Sequence, residues 1–275
     1  WSIDDKSNIE TSIGYQFGEM GNSRLDYAGG ANPSPAYYQD LPSYFLADTD
    51  GPDYEGAYIA QENFINNGQI NWNRIYDANL TNNQANLNAA YVLYEDRVDD
   101  IQLTINSSYN REINENIKLS TSANYRNLIS DNFAEISDML GGYSYSNIDS
   151  FDYLDYNLLS PNSIVSEGDK FKYHYKMNAE EMSLFSMINF SFNKLEFYFA
   201  GDITNTTYQR DGIFENEANA GNSSGKGDEI SFDGYGVKAG ITYKFSGKHI
   251  LDFNSAYLQK APSIRNTFTN SRVNH

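Results

Sequence analysis

Seven segments of this chain alternate apolar and polar side chains with the period of a β-strand. They are Ile9–Phe17, Ile101–Tyr109, Ile117–Tyr125, Met182–Phe192, Leu195–Ile203, Tyr235–Phe245 and Leu251–Tyr257. In the second, Ile101, Leu103 and Ile105 alternate with Gln102, Thr104 and Asn106. The segments run to roughly 9–11 residues, the length of a tilted strand that crosses a bilayer. No stretch approaches the ~18 consecutive apolar residues of a membrane-spanning helix.

The connections alternate in length. Residues 110–116, Asn193-Lys194 and Ser246-Gly247-Lys248 are hairpin-sized, whereas residues 18–99, 127–176 and 205–229 are long. Short turns on one side and long loops on the other is the pattern of a transmembrane barrel. Charge sorts the same way. The three long connections carry -9, -5 and -3, together -17 of the total -18, which leaves the strands and short turns nearly neutral. Aromatic residues mark the strand ends: Tyr109, Phe190, Phe192, Tyr243 and Phe245 by short turns, Tyr15, Phe17, Tyr125 and Tyr257 by long loops. Two such girdles bracket the apolar band of an outer-membrane barrel.

The expected fold class is therefore all-β. The expectation is an open, curved antiparallel sheet that forms part of a large transmembrane β-barrel with long extracellular loops. One such partial barrel of about seven strands spans residues 1–275. Apolar side chains should sit on the convex face, and the start and end read as internal points of a longer chain. The alternatives are a passive surface barrel or a secreted β-sandwich with a binding role. A sandwich gives no reason for loops of 50–80 residues, which are uncommon in compact domains.

Composition narrows the function. A net charge of -18 argues against nucleic acid, because phosphate binding needs a basic face. With no cysteines there is neither a disulfide framework nor thiolate chemistry. The 23 Tyr and 16 Phe favour strands over helices.

Several segments are similar to TonB-dependent outer-membrane receptors of Bacteroidetes, of the kind with a carboxypeptidase-regulatory-like N-terminal domain. They are Tyr15-Gln-Phe-Gly18, Ser23-Arg-Leu-Asp-Tyr27 and the run from Asn32-Pro-Ser-Pro through Tyr44, with Gln69-Ile-Asn-Trp-Asn-Arg-Ile-Tyr-Asp-Ala-Asn79 and Tyr91-Val-Leu-Tyr-Glu-Asp-Arg97. Gly240-Ile-Thr-Tyr-Lys-Phe-Ser-Gly-Lys-His249 and Ala261-Pro-Ser-Ile-Arg-Asn266 add to them. The resemblance implies an outer-membrane location and a barrel of about 22 strands with a lumenal plug. It also implies contact with lipid and with the TonB complex through a plug outside these residues, and import of a captured ligand.

Little points to catalysis. His174, His249 and His275 sit in no recognisable motif, and metalloprotease, nucleophile-elbow and P-loop signatures are absent. Two clusters in the first long loop are candidate sites. Asp48, Asp50, Asp53 and Glu55 lie within eight residues beside Gly51, which suits Ca²⁺, although the spacing is not that of an EF-hand and a solvated acidic loop is the plainer reading. Tyr37, Tyr38, Tyr44, Tyr54, Trp72 and Tyr76 offer rings that stack on a glycan or pack on a peptide. The alternative is that these rings form the loop's own small core.

Overall fold

The computed structural model describes residues 2–47, 49 and 51–274. All seven alternating segments lie on strands, most of which run on towards the opposite rim. The strands are β1 (Ser2–Asp4), β2 (Ser7–Tyr27), β3 (Tyr91–Asn114), β4 (Ile117–Asp138), β5 (Tyr145–Ser146), β6 (Ile164–Val165), β7 (Lys170–Ser191), β8 (Leu195–Gly212), β9 (Gly225–Lys226), β10 (Ile230–Ser246) and β11 (His249–Gln259). They pair antiparallel as a half-barrel sheet in the order β1-β2-β3-β4-β7-β8-β10-β11, with β9 on β8 and β5-β6 apart as a small second sheet. Neighbours in space are almost always neighbours in sequence, as an up-and-down meander requires.

Three predicted hairpin turns lie at one rim. A fourth was not anticipated: Asp5-Lys6 folds the short β1 back onto the start of β2, pairing Asp4 with Ser7. The long connections gather at the opposite rim. They are shorter than expected, because the strands run on into them. β3 has 24 residues, roughly 80 Å of extended chain and far more than a bilayer core requires.

The register sorts the side chains by face, since directly opposed residues on antiparallel strands point the same way. Ile13, Ile105, Tyr125 and Met182 share one row. Leu119, Ile188, Phe199 and Ala239 share another, and Phe197, Ile241 and Phe253 a third. This apolar face is solvent-exposed in the isolated sheet: Phe17 is 76% exposed, Ile13 72% and Phe253 63%. Thr104, Asn106, Asn124, Ser183 and Thr204 occupy the other, polar face.

Above this level the strands carry a crown of loops, which adds a few short helices to an otherwise all-β chain. Residues 28–90 hold three helices, α1 (Pro42–Leu46), α2 (Tyr54–Asn67) and α3 (Trp72–Gln84). Two have polar N-caps. The side chain of Asp53 accepts from Gly56 N at 2.8 Å, and that of Asn71 from Arg74 N at 3.1 Å. No helix among the described residues is long and apolar enough to cross a membrane. A single-turn helix, α4 (Ile264–Thr267), follows β11.

The crown is where the chain buries its core, on both faces of the same strands. On the polar-face side Val92, Tyr94, Ala134, Ile136, Tyr145 and Phe171 form one cluster, under residues 139–169. On the apolar-face side Ile75 of α3 packs with Ala90, Tyr91 and Leu140, against Leu25, Tyr27 and Leu93. One side chain pins α3 down. Asn79 is fully buried, donates to the carbonyls of Tyr91, Met139 and Leu140 at 2.8–3.1 Å, and accepts from Ala90 N and Tyr91 N at 2.8 and 3.1 Å.

Candidate functional site

The apolar face has sharp limits, and they run obliquely. On β2 the band extends from Ile9 to Phe17, on β8 from Leu195 to Ile203 and on β11 from Leu251 to Tyr257. Following the hydrogen-bonded row of Ile9 across the sheet leads through Tyr109, Thr121, Ser186, Gly201 and Val237 to Tyr257. The lower limit on β11 is Leu251, six residues nearer the short-turn rim than Tyr257. Six strand-to-strand steps thus shift the band by about six residues.

On β2, β3 and β4 a row of charges closes the band from above. Glu19, Asp99, Asp131, Lys176 and Asp211 are direct cross-strand neighbours, one step beyond Phe17, Ile101 and Ile129 on the same face. Arg97 sits above the row and bonds Asp99 and Glu19. Asp131 accepts from Lys170 at 3.4 Å and meets His174 Nε2 at 2.8 Å. Hydroxyls within the band satisfy one another: Thr11 with Ser107, and Thr121 with Ser186, each at 3.0 Å.

The polar face is laced with side-chain bonds. Asn106 donates to Asn124, which donates to Ser183 at 3.4 Å; Arg126 pairs with Glu181 at 3.3 Å. The Tyr198 hydroxyl donates to Asn254 Oδ1 at 3.0 Å, passing over Gly240 between them. A Cβ there would lie 2.2 Å from Asn254 Oδ1 and 2.3 Å from the Tyr198 ring, so Gly240 leaves room for that bond. Higher up, Lys172 Nζ pairs with Asp26 at 2.7 Å, both largely buried, and the Tyr145 hydroxyl donates to the same carboxylate at 3.0 Å. Burial and the Asp26 charge hold the Tyr145 hydroxyl well above the ordinary tyrosine range, so it stays protonated and donates.

The six candidate ligand-binding aromatics do not form one site. Tyr37, Tyr38 and Tyr44 make an edge-to-face ladder with Phe45, with centroids 5.0, 5.8 and 5.7 Å apart. Tyr54 starts α2 and is 74% exposed; Trp72 and Tyr76 lie one turn apart on α3, both partly exposed. The concavity beside them is instead a groove of about 690 Å³ between residues 31–35 and helices α1, α2 and α3. Its floor includes Ile75 and Tyr91, and its walls bring Phe45, Asn63, Gln69 and Arg74 together. Apolar surface with a few convergent polar groups is the usual make-up of a small-molecule site. Sequence reading missed this groove, because it depends on two helices whose only signals were the N-caps Asp53 and Asn71.

For the acidic cluster, Asp48 and Asp50 lie outside the described residues. Asp53 caps α2 and Glu55 occupies its first turn. Among the described residues no group of three or more His, Asp or Glu is placed to hold a metal ion. Of the histidines, His174 lies in the charged network and His249 opens β11 at the short-turn rim, whereas His275 is outside the described residues. No protein-family model, curated protein or solved structure matches the chain.

Proposed function

We propose that this sheet is part of an outer-membrane barrel of the TonB-dependent receptor type, in which the crown captures a ligand for import through the barrel. The observation that carries this reading is the oblique apolar band. A bilayer imposes a band parallel to its own plane. On tilted strands such a band must cut across the hydrogen-bonded rows. A shift of about one residue (3.3–3.4 Å) per strand spacing (4.7–4.9 Å) corresponds to a tilt of about 35°. Membrane barrels tilt their strands by about 35–45°. The aromatic limits of the band and the charges above it fit the two lipid interfaces.

The open edges support the same reading. The edge strands are β1 and β11, and they run in opposite directions. Closing the sheet with antiparallel neighbours therefore takes an even number of additional strands. Lipid offers no water to the unpaired N–H and C=O groups of an edge, so a membrane sheet must close. Ligand capture rests on the crown groove, whose carboxamides and aromatic walls suit a glycan or a peptide.

The chain has no cysteine, which suits site-directed spin labelling. Labels placed singly at 101 through 106 in the membrane-reconstituted protein should alternate. Positions 101, 103 and 105 should collide with oxygen dissolved in lipid, and 102, 104 and 106 with a water-soluble nickel chelate. A flat profile, or water access at both parities, would sink the membrane assignment.

A further inference from the structure

Among the described residues beyond Gln259, none joins the sheet as a further strand. Residues 262–274 turn back across the polar face at the crown rim, over β8 and towards β7. The Tyr208 hydroxyl donates to Pro262 O at 3.1 Å, and the Tyr175 hydroxyl to Ser271 Oγ at 3.1 Å. The Arg272 guanidinium lies 5.0 Å from the Tyr173 ring centroid. Tyr208, Arg210 and Tyr175 are placed by register on one face, opposite Ala179, Met177 and Asn132.

Most of the attachment passes through one side chain. Arg210 is 2% exposed and lies over the Tyr175 ring at 5.2 Å. Its Nε donates to Ser271 O at 2.7 Å, Nη2 to Arg272 O at 3.3 Å, and Nη1 to Asn274 Oδ1 at 2.5 Å and Ser223 O at 2.8 Å. Asn274 completes the contact: its N–H donates to Asn222 O at 2.7 Å and its Nδ2 to Ser224 O at 2.8 Å. A segment in a sheet ladder is released only by breaking many backbone bonds. This one meets the polar face through side chains, and one guanidinium holds three of its oxygens.

We propose that residues 262–274 are a lid over the polar face of the crown, latched by Arg210. Beneath it Tyr173, Tyr175, Tyr156 and Phe214 close around almost no free volume, about 10 Å³. Lifting the lid opens that recess between the strands and the 139–169 and 213–229 connections. The proposal does not depend on the membrane reading, because it concerns contacts within the crown.

Trypsin reads the latch directly, since Arg210 holds the carbonyl of Arg272, the bond that trypsin would cut. Cleavage of the full chain after Arg272, followed by mass spectrometry, should be slow beside cleavage after the exposed Lys260. Arg210→Met and Asn274→Ala should each raise the Arg272 rate about tenfold or more, as expected for losing a hydrogen bond to a charged group. Cleavage after Lys248, at the far rim, should not change. If Arg210→Met accelerates every site together, it has unfolded the protein and Asn274→Ala decides. Wild-type cleavage after Arg272 as fast as after Lys260, or an unchanged rate in Asn274→Ala, would overturn the latch.

Discussion

The lower and upper halves of β3 are one strand in two environments. From Ile101 to Asn110 every side chain is at least partly exposed, with apolar residues on one face and polar residues on the other. From Tyr91 to Tyr94 three of the four are buried, by α3 on one side and by residues 139–169 on the other. Water demands the second arrangement, because apolar surface gains about 25 cal/mol per Å² when it is covered. The first is stable only if something apolar covers it from outside. A contiguous exposed apolar face of this kind marks a surface that meets an apolar partner. The strand thus crosses from a half that depends on its surroundings to a half that supplies its own core.

The comparison predicts that damage in one half will not resemble damage in the other. The largest effect should come from Asn79→Ala in the crown. It leaves two buried N–H groups and three carbonyls without the amide that now serves them. Orphaned buried groups cost about 1–3 kcal/mol each, and the loss here should reach about 3 kcal/mol or more. Hydrogen exchange should show it as lost protection at Ala90, Tyr91 and α3, with the amides of residues 101–110 unaffected. A uniform loss along β3 would mean the two halves are one cooperative unit.

On the proposed membrane reading, the band answers to lipid instead. Ile105→Arg should cost about 2–4 kcal/mol in reconstituted protein, the usual penalty for a cation near the bilayer midplane. Thr104→Arg, one residue away on the polar face, should cost much less. The same contrast should hold for Phe199 against Ala200. Equal penalties at both parities in a denaturant titration would remove the distinction between the faces.

The two halves also differed in how far the sequence disclosed them. The band was legible because alternation is a local signal: Leu103 and Ile105 show their face by their neighbours alone. The alternating apolar residues of the seven segments, from Leu103 to Phe253, fall on one face of the sheet. The crown was not legible, because its strands are covered on both faces and lose the alternation. Tyr91, Val92 and Tyr94 are buried together, and Tyr91–Arg97 therefore read as loop. Asn79 looked like one more Asn in an Asn-rich loop; its role comes from carbonyls 12 to 61 positions away. Arg210, on a strand end taken for loop, gave no local sign of being the buried cation.

The smallest predicted effect lies where the two halves meet. His174 stands on the apolar-face side above the charged row, against Asp131, Lys170 and Lys176, with Phe133 and Phe214 edge-on to its ring. Burial, then the charge of Lys170, lowers its pKa below the ordinary histidine value, and Asp131 only partly opposes them. The folded protein therefore binds this proton less readily than the unfolded chain. Stability from the neutral ring is present above the unfolded pKa, about 6.5, and is lost as pH falls through the folded one. Between pH 7 and 5 the amides of β7 and β8 near Phe214 should lose hydrogen-exchange protection. His174→Gln, which cannot take up a proton, should flatten that dependence while leaving the band strands as they were. A pH response that survives the substitution would rule out His174 as its source.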